Sequence, residues 1–276
     1  ILYILISKGY FMQSKTVDKN EQFQATTLRE YELEALSGIA ENFETFPISP
    51  QEKLANFPNW VRHRDLARFL AKYEIFKSIL DVPGAIFECG VLYGGGFSTW
   101  LHLNEIFEPV NFSRKVYGFD TFSGFVDVDS RDIPDDISGI SDKKFYEKGS
   151  LSSERAENHL FRLAQLIDET RKIPQMKRAF LVKGDASKTV PDTLQKDKSL
   201  LVSLLYLDMD LYLPTKEVNN ACLPRMTKGS VIVLDELCDK RWPGETEAVC
   251  ELFDMNKLKI KRFPTTPTIS YAIVGE

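Results

Sequence analysis

Five short apolar runs between residues 85 and 234 constrain the fold most, because each runs directly into a glycine or an acid. They are Ala85–Cys89, Lys115–Asp120, Phe180–Lys183, Leu201–Leu207 and Ser230–Leu234. Helical stretches separate most of them: one from about Phe97, one in which Leu160, Leu163, Ala164 and Ile167 share a face, and one after Pro214. A last helix starts near Gly244, and two more strands close the chain at about Leu258–Phe263 and Thr268–Val274. Strands alternating with helices predict an α/β chain with a Rossmann-like, doubly wound, mainly parallel seven-stranded sheet.

The first 58 residues show no strand alternation and read as an N-terminal extension or helical arm, leaving 59–276 as the main domain and 124–150 as an insertion. Ile1–Ile6 is apolar but short, with no basic leader, and is read as an upstream extension. Glu21–Asn42 reads as helix. A stronger helix is predicted from an Asn59 N-cap to about Leu80, with Leu66, Phe69, Leu70, Tyr73, Phe76 and Leu80 on one face.

With 35 basic and 40 acidic side chains and no basic stripe, the chain does not look like a nucleic-acid binder. Its 4 cysteines form no CxxC pair and its 3 histidines lie far from them, against zinc or a disulfide framework and in favour of the cytoplasm. No apolar run is long enough to cross a bilayer.

In open α/β sheets, ligands gather beyond the carboxyl ends of the strands. The first strand ends in Glu88-Cys-Gly-Val-Leu-Tyr-Gly-Gly-Gly96. Gly90, Gly94, Gly95 and Gly96 allow close backbone approach to a ligand, but their spacing is not the dinucleotide G-x-G-x-x-G. Asp120 can accept from a ribose diol or cap a helix or turn, and Asp185 can meet an adenine amino group or serve as a turn residue. Asp208 and Asp210 follow the fourth strand; Asp235 and Glu236 follow the fifth. Such acids repel one another unless a cation joins them, and all-oxygen ligands suit Mg²⁺, Mn²⁺ or Ca²⁺. Helix capping or pairing with Lys and Arg is the other reading.

The run Val82–Gly96 resembles the opening motif of the macrocin-type sugar O-methyltransferases, which use S-adenosylmethionine (AdoMet) and Mg²⁺. So do Tyr117–Gly124, Leu207-Asp-Met-Asp-Leu-Tyr212, Lys228–Glu236 and Pro243–Ala248, in the same order and spacing. The resemblance implies that Glu88, Gly90 and Gly94–Gly96 hold the methionine part of AdoMet, Asp120 the ribose, and Asp185 the adenine, with Thr121 and Phe122 lining the adenosine pocket. It implies Asp208, Asp235 and Glu236 as ligands of Mg²⁺ (or Mn²⁺) and a sugar or glycoside as acceptor. From that set we expect a vicinal diol on the metal, with Asp208 as proton acceptor and a metal-bound hydroxide as the rival base. Glu236 departs from the family's usual Asp, and no histidine follows His159 to serve as a base. A catechol-type phenol methyltransferase and a non-catalytic AdoMet-binding protein are the rival readings. The 124–150 insertion, rich in aspartate, reads as a solvated loop or a substrate lid, and Arg62, His63 and Arg64 as a charged turn or an anion contact. The arm can also pack on a second copy of the chain.

Overall fold

The computed structural model describes residues 29–135 and 143–276. Ile1–Ile6 and the start of the predicted Glu21–Asn42 helix lie outside the described residues. The arm contributes α1 (Glu30–Thr45) and α2 (Pro50–Ala55), the latter capped by Ser49, which accepts from the Glu52 amide. α1 buries none of its residues.

Seven strands follow: β1 (Ala85–Cys89), β2 (Val116–Asp120), β3 (Ala179–Lys183), β4 (Val202–Leu207), β5 (Val231–Leu234), β6 (Lys261–Phe263) and β7 (Thr266–Ile273). Their order is β3-β2-β1-β4-β5-β7-β6, and β7 is antiparallel to both of its neighbours. The five parallel strands come from the five apolar runs; β1, β4 and β5 are buried throughout and β2 nearly so, as helix-covered strands are, whereas β3 at the sheet edge is mostly half-buried. The chain reverses its direction of winding between β1 and β4, which creates a crevice at their carboxyl ends.

Strand alternation sorts the core into two layers. Ile86, Leu204, Tyr206, Val231 and Val233 face α3 (His63–Ser78), α4 (Gly95–Phe107) and α5 (Glu157–Glu169). Ala85, Phe87, Cys89, Leu205, Leu207 and Ile232 face the opposite layer, with α6 (Ala186–Lys196), α7 (Tyr212–Cys222) and α8 (Pro243–Leu252). Glu88 shares its face with Ile86 and stands in register with Tyr206 on β4 and Gly118 on β2. A carboxylate is thereby set inside an apolar layer.

Two sequence expectations are corrected. The helix after the arm starts at His63; Asn59 lies in a separate 3-10 turn, Phe57–Asn59, that Pro58 initiates. Its buried face is Ala71, Lys72, Ile75 and Phe76, whereas Phe69, Leu70 and Leu80 are exposed. A lysine takes a core position there because Glu88 and two aromatic rings receive it. The second correction is α6, a helix between β3 and β4 that periodicity did not reveal, with Pro191 inside it. On α5, Leu160, Ala164 and Ile167 are buried but Leu163 is exposed.

Candidate active site

A cleft of about 730 Å³ runs along the carboxyl ends of β1 to β5. Gly90, Gly95, Gly96, Asp120, Thr121 and Asp185 line one half; Asp208, Asp210, Asp235 and Glu236 line the other. Its walls include Arg62, Arg64 and Arg68 of the arm side and Phe125, Val126 and Asp132 of the insertion.

The glycine turn is held from below by a carboxylate. Asp120 Oδ2 accepts from the amides of Val91 (2.7 Å) and Leu92 (2.8 Å), and Oδ1 from the amide of Phe122 (2.6 Å). Gly94, at φ 81°, is the left-handed N-cap of α4 and does not line the cleft. Gly96 must be glycine because a Cβ would stand 1.8 Å from Glu88 Oε1. Phe122, expected to line the adenosine pocket, is only 1% exposed and packs on Phe161, so it supports the loop from behind. Thr121 spends its hydroxyl on the Gly124 carbonyl (2.7 Å). Asp185 caps α6, accepting from the Ser187 amide at 3.0 Å, and also borders the cleft.

The other half is crowded with acid. Ladder bonds from the Asp208 amide to the Cys89 carbonyl and from the Asp235 amide to the Leu207 carbonyl align the three strand ends. Asp208, Asp235 and Glu236 each offer an oxygen within 4.8 Å of the others. Glu245, fully buried on α8, accepts from the Glu236 amide at 3.0 Å and fixes that turn. Glu236 Oε2 and Glu245 Oε2 are buried and without hydrogen-bond partners among the described residues.

Burial and neighbouring negative charge act together here. Burial, reinforced by Asp235, pushes Asp208 up to about 7. Asp210, Glu236 and Glu245 are raised well above the carboxylate range, first by burial and then by one another's neighbours in the cluster. Asp235 alone is held low: burial opposes its charge, but Arg68 and Lys72 outweigh it.

Sequence reasoning missed Arg68 and Lys72, one turn apart on α3. Arg68 pairs with Asp235 at 2.8 Å. The Lys72 ammonium lies 3.6 Å from Glu88, over the rings of Tyr206 (3.3 Å) and Trp100 (5.0 Å). Their only sequence signal is the i, i+4 spacing of two cations on a helix beside the sheet. Arg62, the residue before α3, pairs with Asp65 at 2.6 Å. Asp210 was legible as an acid but not in its role: it is non-glycine at φ 63°, and its carboxylate has no hydrogen bond or ion pair among the described residues.

The described parts of the insertion are docked against the cleft. Asp132, buried, accepts from the Tyr212 amide at 2.6 Å and so caps the start of α7. Trp242 packs on Phe125 and Tyr146. Trp242 borders the cleft, while Tyr212 is buried and bonds Glu251 at 2.6 Å.

Comparison with known proteins matches this arrangement. Residues 68–261 fit the family described as macrocin O-methyltransferase (TylF). The crystal structure of CalS11, a calicheamicin methyltransferase, superposes with TM-score 0.81 at 30% identity, covering 90% of this chain and 95% of that one. An apo structure of CalS11, described as a TDP-rhamnose 3'-O-methyltransferase, gives TM-score 0.76 at 28% identity, covering 90% and 97%. The O-methyltransferase NovP shares the fold, with TM-score 0.54 at 19% identity over 75% and 79% of the two chains. No sequence among the curated proteins matches significantly. The chain belongs to the TylF macrocin O-methyltransferase family and is an AdoMet-dependent O-methyltransferase.

Proposed function

We propose that this enzyme methylates a hydroxyl of a sugar, or of a sugar-bearing small molecule, that has a second hydroxyl beside it, with Mg²⁺ or Mn²⁺ as cofactor. The observation that carries this reading is the Asp208–Asp235–Glu236 trio on the same crest as the glycine turn. The likeness to CalS11 supports a sugar acceptor.

The residues fit a hard divalent cation. Three carboxylates converge, the Glu236 Oε2 atom has no hydrogen-bond partner among the described residues, and burial with neighbouring negative charge raises the proton affinity of Glu236. Asp208, Asp235 and Glu236 would hold the ion, which when bound lowers the pKa of a coordinated alcohol. AdoMet supplies an electrophilic methyl on a sulfonium that leaves as a neutral thioether. Glu88, Gly90, Gly95 and Gly96 would border its methionine part, Asp120 and Thr121 its ribose, and Asp185 its adenine, while Gly94 and Phe122 shape the turn.

The proton of the acceptor hydroxyl goes to Asp210 rather than Asp208. Asp208 belongs to the ligand trio and faces Arg68 at 3.6 Å, whereas the Asp210 carboxylate faces the cleft without a partner among the described residues. Burial and the Asp208 charge raise its proton affinity, which suits a base. Its left-handed backbone is strain of the kind retained where a side chain must be aimed. Much of the remaining rate enhancement comes from positioning. All four cysteines are free, in keeping with a cytoplasmic enzyme. Among the described residues no helix is long and apolar enough to cross a membrane.

The test combines calorimetry and kinetics. S-adenosylhomocysteine should bind the purified protein, and turnover of a vicinal-diol sugar should vanish in EDTA. Asp210→Asn should lower kcat by about 10²–10⁴-fold while S-adenosylhomocysteine affinity stays within about twofold. Wild-type kcat in Asp210→Asn would remove Asp210 as the base and return that role to Asp208.

A further inference from the structure

Arg68 stands where a metal-ligating set has no evident use for a cation. Its Nη2 lies 2.8 Å from Asp235 Oδ1 and 2.9 Å from Oδ2, and the same nitrogen is 3.6 Å from Asp208 Oδ2. A side chain that only orients a ligating carboxylate takes one oxygen and leaves the other for the ion. Tyr206 is placed to do that, since its hydroxyl donates to Asp235 Oδ1 from within the sheet. Arg68 instead straddles both oxygens of Asp235 and faces Asp208 as well.

The two cations of α3 differ in freedom. Lys72 is 4% exposed and boxed in by Trp100, Tyr206 and Glu88. The Arg68 side chain is 32% exposed and borders the cleft, so it has somewhere to withdraw. Lys72 is boxed into the core; Arg68 is an occupant of the site.

We infer that Arg68 is a built-in counter-cation that neutralises Asp235 and Asp208 in the metal-free enzyme, yields when a divalent cation loads, and thereby sets the cation affinity of the site. This rests on the metal reading under Proposed function. Neutralising both carboxylates from α3 keeps them from repelling each other before loading, and a guanidinium left beside a divalent ion opposes its binding.

The experiment is Mn²⁺ titration, followed by electron paramagnetic resonance, of the wild-type protein and of Arg68→Gln, Arg68→Met and Arg68→Lys, without acceptor. Thermal unfolding and S-adenosylhomocysteine binding establish that each variant is folded. Arg68→Gln and Arg68→Met should bind Mn²⁺ about tenfold more tightly or better, and Arg68→Lys should stay within about threefold of wild type. Equal or weaker binding in both neutral variants overturns the inference and leaves the metal reading standing. Absence of Mn²⁺ binding in every protein, with S-adenosylhomocysteine binding intact, overturns both.

Discussion

The two halves of the cleft solve opposite problems with the same residue type. On the β1–β2 side one carboxylate, Asp120, meets three backbone amides, so its charge is spent on shaping the glycine turn. On the β4–β5 side Asp208, Asp210, Asp235, Glu236 and Glu245 meet few donors, and most of them are driven toward holding protons. A satisfied carboxylate builds architecture, while a crowded, under-satisfied set stores affinity for positive charge. Under the proposed function, the difference separates what must be rigid for cofactor recognition from what must be available for chemistry.

The halves touch at Gly90, and the largest effect is expected there. A Cβ at Gly90 would lie 1.7 Å from the Asp208 carbonyl oxygen, and its φ of 94° is already outside the range other residues favour. Gly90→Ala should cost more than about 4 kcal/mol or prevent folding, measured by thermal melting of purified protein. Gly95→Ala is the control, since no atom lies within 4 Å of its Cβ position. A Gly90→Ala protein with an unchanged melting temperature would mean that the strand ends are not locked together.

Asp120→Ala comes next, because it strands three amides around the turn. A loss of about 3 kcal/mol, with weaker S-adenosylhomocysteine binding, is expected. Asp120→Asn should be milder, as its remaining oxygen can still serve Val91 and Leu92. If Asp120→Ala lost affinity but no stability, the carboxylate would be a cofactor contact and not a brace.

The buried acids beside the cleft, Glu88 on β1 and Asp208 after β4, should reveal themselves through pH. Burial raises Glu88 to about 8 and Asp208 to about 7. Unfolded, both return to roughly 4, so between those values the folded state holds more protons than the unfolded one. Their stabilising contribution is full below about pH 4 and is lost as pH rises through 7 to 8. Lys72 works the other way: burial lowers its proton affinity, so its contribution grows as pH rises toward the ordinary lysine value. In EDTA the melting temperature should fall from pH 5 to 8, less steeply in Glu88→Gln and more steeply in Lys72→Met. A flat profile in all three proteins would contradict the charge-starved description.

What the sequence made legible follows the same division. The five apolar runs became β1 to β5 with ends shifted by no more than one residue, because buried parallel strands are written as continuous apolar stretches. The Asp208–Asp235–Glu236 trio was legible because strand ends are where polar residues interrupt such runs. Arg68 was not, since its partner Asp235 is 167 residues away and no local pattern records that contact. Lys72 was missed for the same reason, because its burial depends on Trp100, Tyr206 and Glu88 from three other elements. α6 was hidden by Pro191 and by its narrow apolar stripe, Ala186, Val190 and Leu194.

The smallest effect decides how far the architectural role of the glycine half extends. Asp185 caps α6 through the Ser187 amide and also sees Lys188 at 3.4 Å, yet it borders the cleft where the adenine is proposed to lie. Capping alone predicts that Asp185→Ala loses about 1 kcal/mol of stability and Asp185→Asn almost none, because Asn caps as well as Asp. An adenine contact adds a second effect: a loss of about tenfold in S-adenosylhomocysteine affinity for Asp185→Ala, read by calorimetry at a temperature where the variant is fully folded. Lost stability with unchanged affinity would leave Asp185 a helix cap, and the adenine would then be selected by the shape of the β3–α6 turn alone.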